Sequence, residues 1–403
     1  MKTFPDFRSP AFLREHIRQT LAFYHPHCLD PDGGCFHYYR NNGDIYDRVR
    51  RHLVSSTRFV FDYAMAARHF GNPVYLDATR HCVNYLRDVH RNPETCGYAW
   101  TIRDSKPEDT TNHCYGVAFV LVAYANACRA GIAEASAWMD ETRQLLERHF
   151  WDADSGLYRD EADAEWHFSS YRGQNANMHM CEAMLSAFEA SNEQRYLDRA
   201  LMLADHMTRR QAAKAGGLVW EHYDEHWEVD WDYHRDNPKD LFRPWGFQPG
   251  HQTEWAKLLL ILGRHVEVDW LLPTARHLFD TAMLRAWDDK NGGLCYGFAP
   301  DGSICDGDKY HWVQAESLAA AALLAERTGD AKYWQWYEDL WRYVWSHFVD
   351  HQYGGWYRIL TRDNRQYSDE KSPAGKTDYH NMGACYEILN VVGKRAHGAA
   401  VTN

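Results

Sequence analysis

The chain has 403 residues, a net charge of −12 at pH 7 with His neutral, and 15% aromatic side chains, among them 17 Trp and 25 Tyr. The acidic balance opposes a nucleic-acid or anionic-membrane partner, and no apolar run approaches the roughly 18–20 residues of a membrane span. Length alone would allow two or three domains, but no Gly/Ser, Pro-rich or single-charge tract marks a linker between them.

The N-terminal stretch Met1-Lys2-Thr3-Phe4-Pro5-Asp6-Phe7-Arg8 has no apolar secretory core. Ten cysteines are scattered without a C-x-x-C pair, a pattern of reduced and mostly buried thiols. Both point to the cytoplasm. A repeat then begins. Its turns are Gly33-Gly34-Cys35-Phe36, Cys96-Gly97-Tyr98, Ser155-Gly156-Leu157-Tyr158, Gly216-Gly217-Leu218-Val219-Trp220, Gly292-Gly293-Leu294-Cys295-Tyr296 and Gly354-Gly355-Trp356-Tyr357. The last glycines stand at 34, 97, 156, 217, 293 and 355, with gaps of 63, 59, 61, 76 and 62. A fixed period marks one supersecondary unit used repeatedly. About 60 residues hold two helices of average length with their connections. Six helical hairpins are therefore predicted across residues 1–403 as one domain, in a closed ring or an open solenoid.

Helices are expected between the glycines. Ala118, Leu121, Val122 and Ala125 share a helical face, as do Trp255, Leu258, Leu259 and Leu262, and Leu318, Ala322 and Ala325. These small and apolar segments suit inner helices. The charged, amphipathic segments 193–209 and 331–348 suit outer ones. The strand-like runs after each glycine predict short β-hairpins at one end of the helical layers. The fourth gap is about 15 residues longer than its neighbours, and the excess falls within 221–247. Insertions in a repeat protein often map to its binding face.

Polar residues recur at one phase. Arg58 lies 24 residues after Gly34, Tyr115 18 after Gly97, His179 23 after Gly156, Glu316 23 after Gly293 and His380 25 after Gly355. Glu254 lies 37 after Gly217, or about 22 without the insertion. Each begins an inner helix, so closure of the ring would bring all six to one end of its axis. Asn175 is four residues before His179, and His251 three before Glu254, each pair on one helix face. Gln314 precedes Glu316, and His113 is a weaker candidate beside Tyr115. Most of the 24 histidines are expected to be surface or hydrogen-bonded core residues. Matched phase is what singles out His179, His251 and His380.

Imidazole, with an unperturbed pKa of about 6.5, takes and returns a proton near neutral pH. Several such groups suit reversible proton transfer beside a carbonyl, with Arg and Tyr stabilising the enediolate oxygen. No phosphate-binding loop or dinucleotide fingerprint occurs, so no cofactor is expected. His251 and Glu254 are spaced compatibly with a metal, but no His-Glu-x-x-His is present, and no metal is expected either. Glu254 and Glu316 would alternatively supply the two carboxyl groups of a glycoside hydrolase, and a non-catalytic carbohydrate-binding protein would explain fewer of the titratable groups.

The blocks Asn175-Ala176-Asn177-Met178-His179, Pro249-Gly250-His251-Gln252-Thr253-Glu254-Trp255, Trp312-Val313-Gln314-Ala315-Glu316 and Asp378-Tyr379-His380-Asn381 resemble the N-acylglucosamine 2-epimerase superfamily over essentially the whole length. The resemblance implies an all-α (α/α)6 barrel and cofactor-free interconversion of sugars at C1 and C2. It implies that Arg58, Tyr115, Asn175, His179, Glu254, Gln314 and Glu316 bind substrate while His251 and His380 are the acid/base pair. Within the superfamily the blocks look most like the mannose (aldose–ketose) isomerase branch. The 2-epimerases of N-acylglucosamine or cellobiose and the sulfoquinovose isomerases are the alternatives. The implied partner is a monosaccharide, for a monomer or homodimer.

Overall fold

A computed structural model describes residues 4–240 and 242–399, and side chains as far as residue 393. The ends of the 1–403 span, including residues 1–3 of the N-terminal stretch, lie outside the described residues.

Twelve helices of eleven residues or more occur among the described residues. They are α1 (Pro10–Ala22), α2 (Leu53–Phe70), α3 (Pro73–Tyr85), α4 (Cys114–Arg129), α5 (Ala135–Leu145), α6 (Gln174–Ser191), α7 (Gln194–Asp205), α8 (Pro249–Leu262), α9 (Leu271–Ala286), α10 (His311–Thr328), α11 (Ala331–His347) and α12 (Tyr379–Ala399). The even-numbered helices are inner. Every residue of α8 is buried, as expected of a helix apolar on all sides. The odd-numbered helices are outer and bury one stripe, as α7 does with Tyr196, Leu197, Ala200, Leu203 and Ala204. Inner helices touch in succession from α2 to α12, and α12 returns to α2. The ring is closed: the architecture is an (α/α)6 barrel, as predicted, and the open solenoid is not what forms.

Each unit's turn supports the next inner helix. Gly293 and Gly355 sit at φ of +74° and +67°, a region that costs a side chain energy. In the second unit the positive φ falls one residue earlier, on Cys96 at +61°. The turns are stapled. Asp288 accepts from the backbone N–H groups of Lys290 and Asn291 (3.1 and 3.2 Å), and Asp350 from those of Gln352 and Tyr353 (2.9 and 3.1 Å). The buried ammonium of Lys309 lies 3.1 Å from Asp288, and Lys371 pairs likewise with Asp350. Arg51 does the same for Asp30. In all three the two residues are 21 apart. A second device is an amide clamp. Asn177 bonds both N–H and C=O of Tyr158 (2.8 and 3.0 Å), and Gln252 those of Val219 (3.0 and 2.8 Å).

The expected strands are present but pair in an additional way. The segment entering each inner helix pairs with the following unit: Arg50–His52 with Thr101–Arg103, Asn112–His113 with Glu161–Ala162, Arg172–Gly173 with His222–Tyr223, Phe247 with Phe298, and Lys309–Tyr310 with Ile359–Leu360. The sixth pairing, Glu370–Ser372 with Tyr38–Arg40, joins the last unit to the first. These pairs form a collar at the end of the barrel where the inner helices begin.

Candidate active site

The first turns of the inner helices converge inside the collar around a cavity of about 440 Å³. Arg58 reaches it from α2, Tyr115 from α4, Asn175 and His179 from α6, His251 and Glu254 from α8, and His380 from α12. Trp312 enters from α10, with Trp100, Tyr171 and Tyr296 around the wall. Phe242, Arg243 and Pro244, from the 221–247 insertion, complete it. Flat aromatic faces beside convergent polar groups suit a sugar ring.

Two of the expected site residues are elsewhere. Gln314 is fully buried, and its amide clamps the backbone N–H and C=O of Leu294, both at 2.9 Å. It therefore holds a turn, as Asn177 and Gln252 do. Glu316 does not line the cavity; one oxygen accepts from His380 Nδ1 at 2.7 Å and the other from Lys257. It stands behind His380. The weaker candidate His113 does face the cavity, with Nδ1 3.4 Å from Glu161.

A carboxylate lies behind each of three imidazoles. His179 Nδ1 is 2.8 Å from Glu182, His251 Nδ1 is 2.9 Å from Glu221, and His380 Nδ1 is 2.7 Å from Glu316. An Nδ1–H donated to a carboxylate leaves Nε2 as the basic nitrogen. Burial holds His179 below the usual range, against its Glu182 partner. Burial and the nearby Arg58 charge hold His380 well below it. Both shifts favour the neutral imidazole at pH 7, and a carboxylate on Nδ1 would stabilise an imidazolium if one formed. His251 and His380 flank one indole: the Trp312 centroid is 4.9 Å from the first ring and 5.9 Å from the second. That approach depends on Gly250, where a Cβ would come within 2.5 Å of the Trp312 ring.

The supporting groups are also buried. Glu221 accepts from Gln174 at 3.0 Å as well as from His251, and Gln174 accepts from Trp255 at 2.9 Å. The Arg58 guanidinium donates to the Gly375 carbonyl and to Tyr115 Oη at 3.2 Å. It lies over the Phe119 and Tyr379 rings at 4.5 and 4.9 Å. Asn175 Oδ1 is buried without a partner and is available to a ligand hydroxyl. Ligand atoms of Glu254, Glu316 and His380 come within 4.8 Å of one another, as do those of His179, Glu182 and Glu254. Lys257 already brings a positive charge to these carboxylates, 3.6 Å from Glu254.

Sequence reasoning missed Glu182, Lys257 and Glu221. The first two carried a signal, being three residues after His179 and Glu254 on the same helix faces. Glu221 carried none, since it meets His251 from 30 residues away.

The model of the N-acylglucosamine 2-epimerase family matches residues 34–384. The D-mannose isomerase of Marinomonas mediterranea is 53% identical over 97% of this chain and 99% of its own. That of Thermobifida fusca is 37% identical over 70% of each. A crystal structure of a D-mannose isomerase superposes with a TM-score of 0.95, at 53% identity, over 96% of this chain and 100% of the other. The cellobiose 2-epimerase of Bacillus thermoamylovorans shares the fold, with a TM-score of 0.83 at 20% identity over 95% of this chain and 100% of the other. With the family match spanning most of the sequence and a cavity ringed by the residues of its motifs, the chain belongs to the N-acylglucosamine 2-epimerase family.

Proposed function

We propose that this sugar isomerase interconverts D-mannose and D-fructose without a cofactor, by proton transfer through a cis-enediol. The observation that carries the reading is the pair His251 and His380, each backed by a carboxylate and both beside Trp312 at one cavity. The 53% identity to a D-mannose isomerase supports the choice of sugar.

In this mechanism one imidazole Nε2 takes the proton from C2 of the open-chain aldose and returns it to C1 on the same face. The C2–H bond breaks and a C1–H bond forms, while one proton leaves O2 and one reaches O1. The other imidazole exchanges the oxygen-bound protons and opens the ring. Arg58 and Tyr115 stabilise charge on the enediolate oxygen. Asn175, His179 and Glu254 hold hydroxyl groups. The whole chain acts as one catalytic domain on a free monosaccharide in the cytoplasm. A hydrolase would need two carboxyl groups free to flank a glycosidic bond, and both Glu316 oxygens are engaged by Lys257 and His380.

The test is to incubate purified protein with D-mannose and identify the product by NMR. Fructose is expected. Glucose alone would make the protein a 2-epimerase, and cleavage of a mannoside with free mannose untouched would make it a hydrolase.

A further inference from the structure

Three carboxylates, Glu182, Glu254 and Glu316, cluster around a single ammonium, that of Lys257. Glu182 accepts from His179 Nδ1 at 2.8 Å and from Tyr379 Oη. Glu316 accepts from His380 Nδ1 at 2.7 Å and from Lys257. Each of these has a donor on both oxygens. Glu254 has none on either. Its side chain is 1% exposed, and the Lys257 nitrogen is 3.6 Å away, committed to Glu316. Yet Glu254 lines the cavity.

We propose that Glu254 stands in the resting enzyme as a neutral carboxylic acid, a hydrogen-bond donor to a sugar oxygen, while Lys257 positions the proton by keeping Glu316 an anion behind His380. The donor role rests on the isomerase reading; the protonation state does not.

The physical case is one of unequal supply. A buried carboxylate beside like charges, with no donor on either oxygen, is costly and takes up a proton instead. Donors satisfy both oxygens of Glu182 and of Glu316; burial raises Glu316 as well, but the Lys257 ammonium on its oxygen opposes that rise and keeps it smaller than that of Glu254. The charged and titratable groups facing Glu254 are Arg58 from α2, Tyr115 from α4, His179 and Glu182 from α6, Lys257 and His251 from α8, Glu316 from α10, and Tyr379 and His380 from α12. Lys257 and Arg58 are the fixed cations against Glu182 and Glu316, which leaves no counter-charge for a third anion. Burial first, and then the Glu316 carboxylate, push Glu254 well above the usual range, although Lys257 pulls the other way. A neutral acid at pH 7 can donate, which a carboxylate cannot. Ionised Glu316 in turn keeps the Nδ1 proton of His380 in place, leaving Nε2 as the base.

The experiment is an infrared pH titration of the intact protein without sugar. Wild type at pH 7 should show a protonated-carboxyl C=O stretch that disappears in Glu254→Gln. Glu254→Met serves the same comparison if the glutamine variant does not fold. Asp160→Asn and Asp62→Asn identify the bands of two other buried carboxyls, the first raised to about 8 and the second well above the usual range, both chiefly by burial. In Lys257→Met a further protonated carboxyl, that of Glu316, should appear, and in Lys257→Arg it should not. Addition of D-fructose should shift the Glu254 band to lower frequency. Loss of a carboxylate stretch in Glu254→Gln, in place of the acid band, would overturn the proposal. So would tight binding of Mn²⁺ to chelator-treated wild type that Glu254→Gln abolishes. A Glu254 band unmoved by fructose, in a protein that forms fructose from mannose, would overturn the donor role. Failure of the isomerase reading would instead appear as no fructose formed, with the sugar-free spectra unaffected.

Discussion

His90 and His222, in the collar, are as buried as the three histidines of the cavity. In the collar both ring nitrogens are used on neutral groups. His90 bonds the Ala99 carbonyl at 3.0 Å and Ser56 Oγ at 2.9 Å. His222 bonds Tyr171 Oη at 2.9 Å and the Pro244 carbonyl at 2.8 Å. At the cavity, His179, His251 and His380 each spend Nδ1 on a carboxylate. Burial alone makes an imidazole neutral, and it holds both His90 and His222 down to about 4. What distinguishes a base is an anion waiting on one nitrogen and open space at the other. The collar ring is a fixed hydrogen-bond bracket; in the proposed reaction the cavity ring cycles.

Exchanging the two kinds of histidine is the sharpest way to break that contrast. His380→Asn and His251→Asn should each lower kcat by about a hundredfold or more, the lower range for acid/base removal. Melting temperatures should change little, and fructose formation from mannose is the assay. His179→Asn should cost less, because in this reading it positions the sugar. Next in size is loss of the anion alone. Glu221→Gln keeps an acceptor for His251 but removes the charge, and should lower kcat by about tenfold to a hundredfold, the range for partners that orient a functional histidine. An unchanged kcat would show that His251 needs no carboxylate.

The collar should respond in the opposite currency. His90→Leu leaves Ser56 and Ala99 short of a partner and should cost about 1–3 kcal/mol in urea unfolding, with kcat unchanged. The smallest effect is in the pH slope. His16, His90 and His222 are held at about 4 by burial, and His52 at about 3. Below the unfolded value of about 6.5, the unfolded chain binds protons that the folded one refuses. Stability is therefore full above about 6.5 and falls as pH drops toward 4. Each such histidine contributes a slope of at most about 1.4 kcal/mol per pH unit, so His90→Leu should flatten the slope by that much. A slope equal to wild type would mean that His90 is charged when buried.

The barrel was legible because one period of about 60 residues carries both its helices and its turns. Gly293 and Gly355 mark the period through their positive φ. The phase argument found the cavity but could not resolve single positions. Gln314 and Glu316 are two residues apart, which on a helix places them on nearly opposite sides. The unit lengths themselves vary by more than that, so a turn clamp and the residue two places after it look alike in phase. Asn177 and His179, and Gln252 and Glu254, repeat the same pairing of clamp and site. The carboxylates were harder still. Glu316 and His380 are 64 residues apart and meet only across the packed barrel.

The closure of the ring has a kinetic side. Each turn staple spans 21 residues, whereas the Arg58 to Gly375 contact spans 317. The cavity straddles that seam, with Arg58 on the first inner helix and His380 on the last. Local loops close early and distant ones late. A chain with five units docked would hold most of its helix and none of its function. Helical signal and turnover are thus separate clocks on one refolding reaction, and the second starts only when the first unit meets the sixth.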